Sequence, residues 1–372
     1  MNLTIEKCLR EIWFAGVDAV RGEGSVKTAL TDFDLPKPDQ IISIGKAAAD
    51  MLSGAQLVFG SDIPAMVVTK YGHSQSLPGS VRTIEAAHPI PDSNSLIAGR
   101  EVLRVVKQCP QGSHLLMLVS GGASSLVELL SKGNTLADLQ TENSRLLASG
   151  LDIGPINMCR KEISQIKGGK LLSHFAGASV NVLAISDVEG DDLSVLGSGI
   201  GQGPKNPQFS FSPYIVASNK VARDAAAARA ASLGLNVVVN AESLYADVYE
   251  LAVKIADELR NGPTGVYIWG GEPTTILPSN PGHGGRNQAL ALALAEQILR
   301  MDELTVLVAG TDGTDGPTDA AGGLVTSKTW TDKAALYLKH ADSGTFLQSR
   351  GALFKSGPTG TNVMDLLIAA KH

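Results

Sequence analysis

Short apolar runs alternate with amphipathic stretches along most of the chain. Ile41–Ile44, Ala65–Thr69, Leu115–Val119 and Asn181–Ser186 are near-continuous apolar runs, the pattern of strands buried on both faces. Between them Lys46–Leu57, Ser95–Lys107 and a longer region, Leu136–Leu172 behind an N-cap at Thr135, carry helical spacing. From Asp187 to Ser212 the pattern lapses into Gly, Pro, Ser and Asp, too long a stretch for an ordinary connection. Strands Tyr214–Ala217, Val237–Val239, Val266–Trp269 and Leu304–Ala309 then alternate with helices Lys220–Ser232, Leu244–Leu259 and Asn287–Leu299. Such alternation predicts an α/β fold with largely parallel sheets. The break places a boundary near its end, giving two Rossmann-like three-layer domains, residues 1–212 and 213–372, with a cleft expected between them.

Composition agrees with this picture. A chain of 372 residues is long enough for two domains, and its 18% of charged residues, against about 25% in typical domains, suits a large buried core. The net charge of −6 argues against a general nucleic-acid binder, which needs a basic face. Cys8, Cys109 and Cys159 are too few and too scattered for a disulfide framework or a paired zinc site, so a reducing, cytoplasmic setting is expected. The N-terminus reads as an amphipathic helix, and the longest apolar run, Leu115–Leu130, is interrupted by Ser, Gly and Glu128, so no membrane span is expected. Monomer and homodimer both remain open. The compositional outlier is glycine, 40 residues in all, and most of the surplus falls in a few loops.

In parallel sheets, ligands bind beyond the carboxyl ends of strands, so the residues after each predicted strand are the informative ones. Gly45-Lys46 puts a cation at a helix start, where the helix dipole disfavours it unless an anion is bound. Ser120-Gly121-Gly122-Ala123-Ser124-Ser125 can turn tightly enough for successive N–H groups to converge into an anion nest. Asp187-Val188-Glu189-Gly190-Asp191-Asp192 crowds carboxylates that need exposure, a basic partner or a cation such as Mg²⁺. Gly270-Gly271-Glu272, followed by Gly282-His283-Gly284-Gly285-Arg286, again sets glycines before a cation able to grip phosphate oxygens in pairs. Gly310–Gly322 spaces Asp312, Asp315 and Asp319 among turn residues, but lacks the terminal glutamate of a calcium loop. The phosphate-binding pattern GxxxxGK[ST] is absent, because Ala47 follows Lys46 and Gln40 stands at the first glycine position. Gly197–Gly203 fails the GxGxxG dinucleotide pattern and lies in the long loop. The seven histidines form no ligand set, and His88 reads as a loop or surface residue.

Taken in order, these loops resemble one family, the class II glycerate kinases whose C-terminal half is the MOFRL domain. The resemblance runs nearly end to end: IGKAAADM (44–51), VVTKYGH (67–73), HPIPD (88–92), LVSGGASSL (118–126), INMCRKEISQIKGGKL (156–171), ISDVEGDDLSVLGSG (185–199), GGE (270–272), GHGGRNQALALALA (282–295), AGTDGTDGPTDAAGG (309–323) and SGPTGTNVMDL (356–366). It implies transfer of the γ-phosphoryl group of ATP to the 2-hydroxyl of D-glycerate with a divalent metal, usually Mg²⁺. The family's essential lysine and arginine fall on Lys46 and Arg286. On this reading Ser120, Gly121, Gly122, Ser124, Gly271, Glu272, Gly284, Gly285 and Asp312 face ATP. Arg160, Lys161 and Lys170 face the substrate, and Asp187 and Asp191 hold the metal, Asp187 doubling as an acceptor for the hydroxyl proton. Relatives commonly read SGGGSALL where this chain has SGGASSLVE, so Ala123 costs the nest a glycine; SGIGQGPKNP (198–207 with Lys205 and Asn206) also departs from the family pattern. Two other readings are an NAD(P)H-dependent hydroxypyruvate reductase and a non-catalytic phosphosugar-binding module.

Overall fold

The computed structural model describes residues 4–74, 77, 78, 80–141 and 160–372. They form two compact units, each built on a six-stranded sheet.

The N-terminal unit comprises residues 20–218 with 360–362. Its strands are β1 (Gln40–Ile44), β2 (Ala65–Lys70), β3 (Arg82–Ala86), β4 (His114–Val119), β5 (Ser179–Ile185) and β6 (Ser210–Ala217). They run in the order β3-β2-β1-β4-β5-β6, every pair parallel. The central β1 sets Ile42 level with Met66 of β2 and Met117 of β4, all three buried, as a strand covered on both faces must be. Helices α2 (Gly22–Asp32), α3 (Ala48–Phe59) and α4 (Ser93–Gln108) accompany the sheet. The start of α4 is fixed by a capping box: Asp92 accepts from the Ser95 amide while the Ser95 hydroxyl accepts from the Asp92 amide.

The C-terminal unit takes residues 219–359 and 363–372, and also the first helix, α1 (Ile5–Asp18). That helix buries Leu9, Ile12, Trp13 and Val17. It packs on helix α6 (Asn219–Ser232), whose small inward residues Ala222 and Ala226 let Gly16 approach the backbone. The strands are β7 (Val237–Glu242), β8 (Gly265–Gly271), β9 (Leu304–Gly310), β10 (Gly322–Thr326), β11 (Leu353–Phe354) and β12 (Asp365–Lys371), in the order β11-β10-β9-β12-β8-β7. Helices α7 (Val248–Asn261) and α8 (Arg286–Gln297) complete its core with α9 (Ala334–Lys339) and α10 (Ser343–Ser349).

The fold is therefore the expected two-domain α/β architecture, with differences of detail. Strands β3, β10, β11 and β12 have no counterpart in the sequence reading. The second sheet is mixed: β12 lies antiparallel between β8 and β9, and β10 is antiparallel to β9. The boundary expected at 212/213 falls inside β6, and the division comes instead at Ser218/Asn219. The helix expected over Leu136–Leu172 is helical at 136–141, behind Thr135, and at 160–163, and gives way at Ser164, which bridges Leu130; its middle, 142–159, lies outside the described residues. Among the described residues no helix is long and apolar enough to cross a membrane.

Candidate active site

Strand order decides where a ligand can enter the N-terminal unit. After β1 the chain moves to β2 and β3 on one side and returns to β4 on the other. Such a switch point opens a crevice outside the carboxyl ends of the two central strands. The turns leaving it are Gly45-Lys46-Ala47 and Ser120–Ser125, and they interlock. The Ser120 amide donates to the Ile44 carbonyl at 2.9 Å, the Lys46 amide to the Gly121 carbonyl at 2.9 Å, and the Ala47 amide to Ser120 Oγ at 3.1 Å. Gly45 is obligatory here, because at φ 131° a Cβ would stand 2.1 Å from Ser120 Oγ.

The second turn ends in α5 (Ala123–Leu126), a single helical turn entered through Gly122 at φ 83°. Ala123 is the first helical residue, so the glycine it replaces is not missed; the left-handed position is Gly122. Among the described residues the amides of Gly121, Gly122, Ala123 and Ser124 have no acceptor. Converging amides of this kind attract an anion. The His88 ring and the Lys46 stem both lie against Gly122. On the other side the Asp187 carboxylate, just beyond β5, crowds Gly121 and accepts from Asn362 Nδ2 at 2.8 Å.

The expected substrate residues divide. Arg160 reaches Ser124 Oγ at 3.4 Å, and burial pulls its guanidinium below the usual range, with Glu128 opposing. Lys161 lies along Gly168. Lys170 spends its ammonium on the carbonyls of Lys161 and Ser164 at 2.5 and 2.6 Å, which makes it a brace for this turn. The cation placed under the nest is Lys167, which the sequence reading did not single out. Its ammonium bonds the Ser124 carbonyl and lies 2.8 Å from Glu128 Oε2, with side chains 1% and 0% exposed.

In the C-terminal unit the ends of β8 and β9 and the start of β12 meet the start of α8. Arg286 donates from Nη1 to Glu272 Oε1 at 2.6 Å and from Nε to Asp365 Oδ2 at 2.8 Å. Burial opposes its charge, but the two carboxylates prevail and hold the guanidinium well above its ordinary value. Burial raises Asp365 above the usual carboxylate range despite Arg286. Asp315 fills the helix start, accepting from the Asn287 amide at 3.1 Å and the Gln288 amide at 2.8 Å. Burial pushes it up to about 7 in spite of those donors. Gly284 and Gly285, expected to face ATP, also leave no room for a side chain: a Cβ on Gly285 would stand 2.3 Å from Asp315, and one on Gly284 would stand 2.7 Å from Ser343 Oγ. Gly271 is the last residue of β8, level with Asp365. Asp312 closes its own turn, accepting from the amide and hydroxyl of Thr314 at 2.9 Å each.

Mg²⁺ usually takes one or two carboxylates, completing its shell with water and substrate phosphates. Asp187 fits that mode as a single carboxylate that borders the open amides and accepts from Asn362 Nδ2. Asp191 lies in a turn at φ 56°, two residues from the exposed Glu189. Among the described residues no three His, Cys, Asp or Glu converge into a protein-only metal cage.

Comparison with known proteins places this geometry. Residues 8–229 match a family model described as a domain of unknown function, DUF4147, and residues 265–365 match the MOFRL family. The chain is 35% identical to the D-glycerate 2-kinase of Thermotoga maritima over 98% of each chain. The chain belongs to the glycerate 2-kinase family. The crystal structure of a glycerate kinase from Thermotoga maritima superposes with a TM-score of 0.85 at 34% identity, covering 99% of both chains. Another family relative, 33% identical over 88% of this chain and 97% of its own, is called a putative hydroxypyruvate reductase in Agrobacterium vitis.

Set among these family members, the site residues that the sequence reading passed over are His88, Lys167, Asn362, Asp315 and Asp365. All five stand in the motif segments quoted above, His88 in 88–92, Lys167 in 156–171, Asp315 in 309–323, and Asn362 and Asp365 in 356–366. Asn362 lies just before β12 and Asp365 opens it, and that strand is not expected from the sequence.

Proposed function

We propose that the chain is an ATP-dependent kinase that phosphorylates D-glycerate on its 2-hydroxyl. The observation that carries this is the nest at the switch point, four amides without an acceptor among the described residues, beside the half-buried Lys46. Phosphoryl transfer asks little covalent chemistry of a protein; it needs positive charge on the equatorial oxygens and in-line placement of donor and acceptor. Lys46 and Arg286 supply that charge. The amides of residues 121–124 and Arg160 take the anionic groups of the substrates, and Lys161 adds charge to the same turn. Asp187 accepts the proton of the attacking hydroxyl. Mg²⁺, bound with the nucleotide, would neutralise phosphate charge, and Asp187 would hold it. Lys170 and Asp191 have lesser parts, the first bracing the 161–164 turn.

The reductase name of one relative is the rival. Against it, the first strand-to-helix turn reads Gly45-Lys46-Ala47 and lacks the glycine spacing of a dinucleotide fingerprint. Incubating the protein with ATP, Mg²⁺ and D-glycerate should release ADP and give 2-phosphoglycerate. Loss of nicotinamide absorbance with hydroxypyruvate, and no ADP with D-glycerate, would overturn the proposal in favour of the reductase. Formation of 3-phosphoglycerate would keep the kinase and move the acceptor hydroxyl.

A further inference from the structure

Within the C-terminal unit a crevice opens beside the start of α8. Tyr249 of α7, Ile276 and Leu277 from the segment after β8, and Leu338 of α9 line it, with Gly285 and Ser343 completing the wall. Two features of it have no use inside the protein. Ile276 is 90% exposed and Leu277 61%, apolar side chains gathered at one opening. Ser343, by contrast, is 1% exposed, and its Oγ lacks a hydrogen-bond partner among the described residues. A buried hydroxyl left unpaired is a cost that a bound group with a polar edge removes.

A ligand answering both features has flat apolar faces and hydrogen-bonding atoms around its rim, which describes a nucleobase. D-glycerate, three carbons carrying a carboxylate and two hydroxyls, offers no apolar face to Ile276 and Leu277. Position supports the assignment, because Gly285 of the crevice wall is followed directly by Arg286. We infer that this crevice receives the adenine ring of the phosphoryl donor, with Ile276, Leu277 and Tyr249 against its faces, Ser343 Oγ at its edge, and the phosphates leading toward Arg286. The inference rests on the kinase reading above and adds to it the place where the nucleotide is recognised as a nucleotide.

Titration calorimetry with ADP alone, on wild type, the double variant Ile276→Ser/Leu277→Ser and Ser343→Ala, tests it. The first two positions are exposed, so the double variant should fold normally, and a melting curve checks this. The expected result is ADP affinity at least tenfold weaker in the double variant and a few-fold weaker in Ser343→Ala. Inhibition by tripolyphosphate, which has no base, should be unchanged in both, as should KM for D-glycerate. Wild-type ADP affinity in the folded double variant would overturn the crevice assignment and leave the kinase reading standing. A wild-type protein that binds no ADP and turns over no ATP would overturn both. Equal weakening of ADP and tripolyphosphate would also overturn the assignment, because the crevice would then act on the phosphates.

Discussion

At the start of α5 four consecutive amides, Gly121 to Ser124, have no acceptor among the described residues, and Lys46 lies against the same turn. At the start of α8 the amides of Asn287 and Gln288 both donate to Asp315, and Arg286 is gripped by Glu272 and Asp365. Sequence marks both places alike, with glycines and a cation near a helix start. Their chemistry differs because one helix start brings its own anion and the other does not. The first, bordered by Asp187 but with its four amides unclaimed among the described residues, carries positive potential that a bound anion would compensate. The second is a cation already aimed, its direction set by the two carboxylates that grip it.

Removing each cation tests that contrast most severely. Lys46→Ala and Arg286→Ala should each lower turnover of ATP with D-glycerate by about 10³-fold or more, the scale seen when a charge that stabilises a transferring phosphoryl group is lost. Melting curves should separate them. Lys46→Ala leaves stability nearly unchanged, whereas Arg286→Ala strands Asp365, which is 2% exposed, and costs roughly 1–3 kcal/mol. Greater destabilisation by Lys46→Ala would break the comparison.

Beneath the open nest lies a buried ion pair, Lys167–Glu128. Lys167→Met leaves Glu128 charged and alone at 0% exposure, which should cost about 3–5 kcal/mol in denaturant unfolding. Adding Glu128→Gln should recover most of that stability, because the buried charge is then gone. If the double variant is as unstable as the single one, the pair is not the reason for the loss.

Paired glycine substitutions sharpen the same contrast at smaller cost. Gly121→Ala would drive a Cβ to 1.9 Å from Asp187 Oδ2 and 2.0 Å from Asn362 Nδ2, both side chains that can yield. It should cut activity about tenfold with little loss of stability. Gly285→Ala would press on Asp315 at 2.3 Å, including its backbone at 2.5 Å, so about 1–3 kcal/mol of stability should go first. Activity assays beside thermal melts would show whether the two losses separate in that way.

Much of this was legible in the chain because it is written in local pattern. Buried parallel strands such as Ile41–Ile44 and Leu115–Val119 declare themselves as apolar runs, and the loops after them hold Lys46, the Ser120 turn and Asp187. What was not legible depends on partners distant in sequence. Strand β12, DLLIAAK, is indistinguishable from a buried helix segment by periodicity alone, and its place between β8 and β9 is a tertiary fact. Asp365 and Asn362 stand in the quoted segment 356–366, but their partners, Arg286 and Asp187, lie far off in sequence. Asp315 was read as one more aspartate in a turn, because nothing near it in sequence announces a helix start 27 residues earlier. Likewise the close neighbours of Gly284 and Gly285, Ser343 and Asp315, lie far from them in sequence.

Asp315 also offers the mildest way to probe the difference, through pH. Its carboxyl is raised to about 7 by burial in the folded chain, from an ordinary value of 3.8. The folded state therefore holds this proton more tightly than the unfolded one. The associated stability is fully present below about pH 4 and is lost as pH rises through 7, by up to about 1.4 kcal/mol for each pH unit in between. Unfolding by denaturant at pH 5, 6, 7 and 8 should show this decline in the wild type. Asp315→Asn has no proton to lose, so its profile should be flatter, at the cost of about 1 kcal/mol for the amide it no longer accepts from. Parallel profiles for the two proteins would mean that Asp315 stays ionised throughout. The start of α8 would then be held by a full charge, and the contrast with the open amides of α5 would be one of permanent occupancy, with no titration between them.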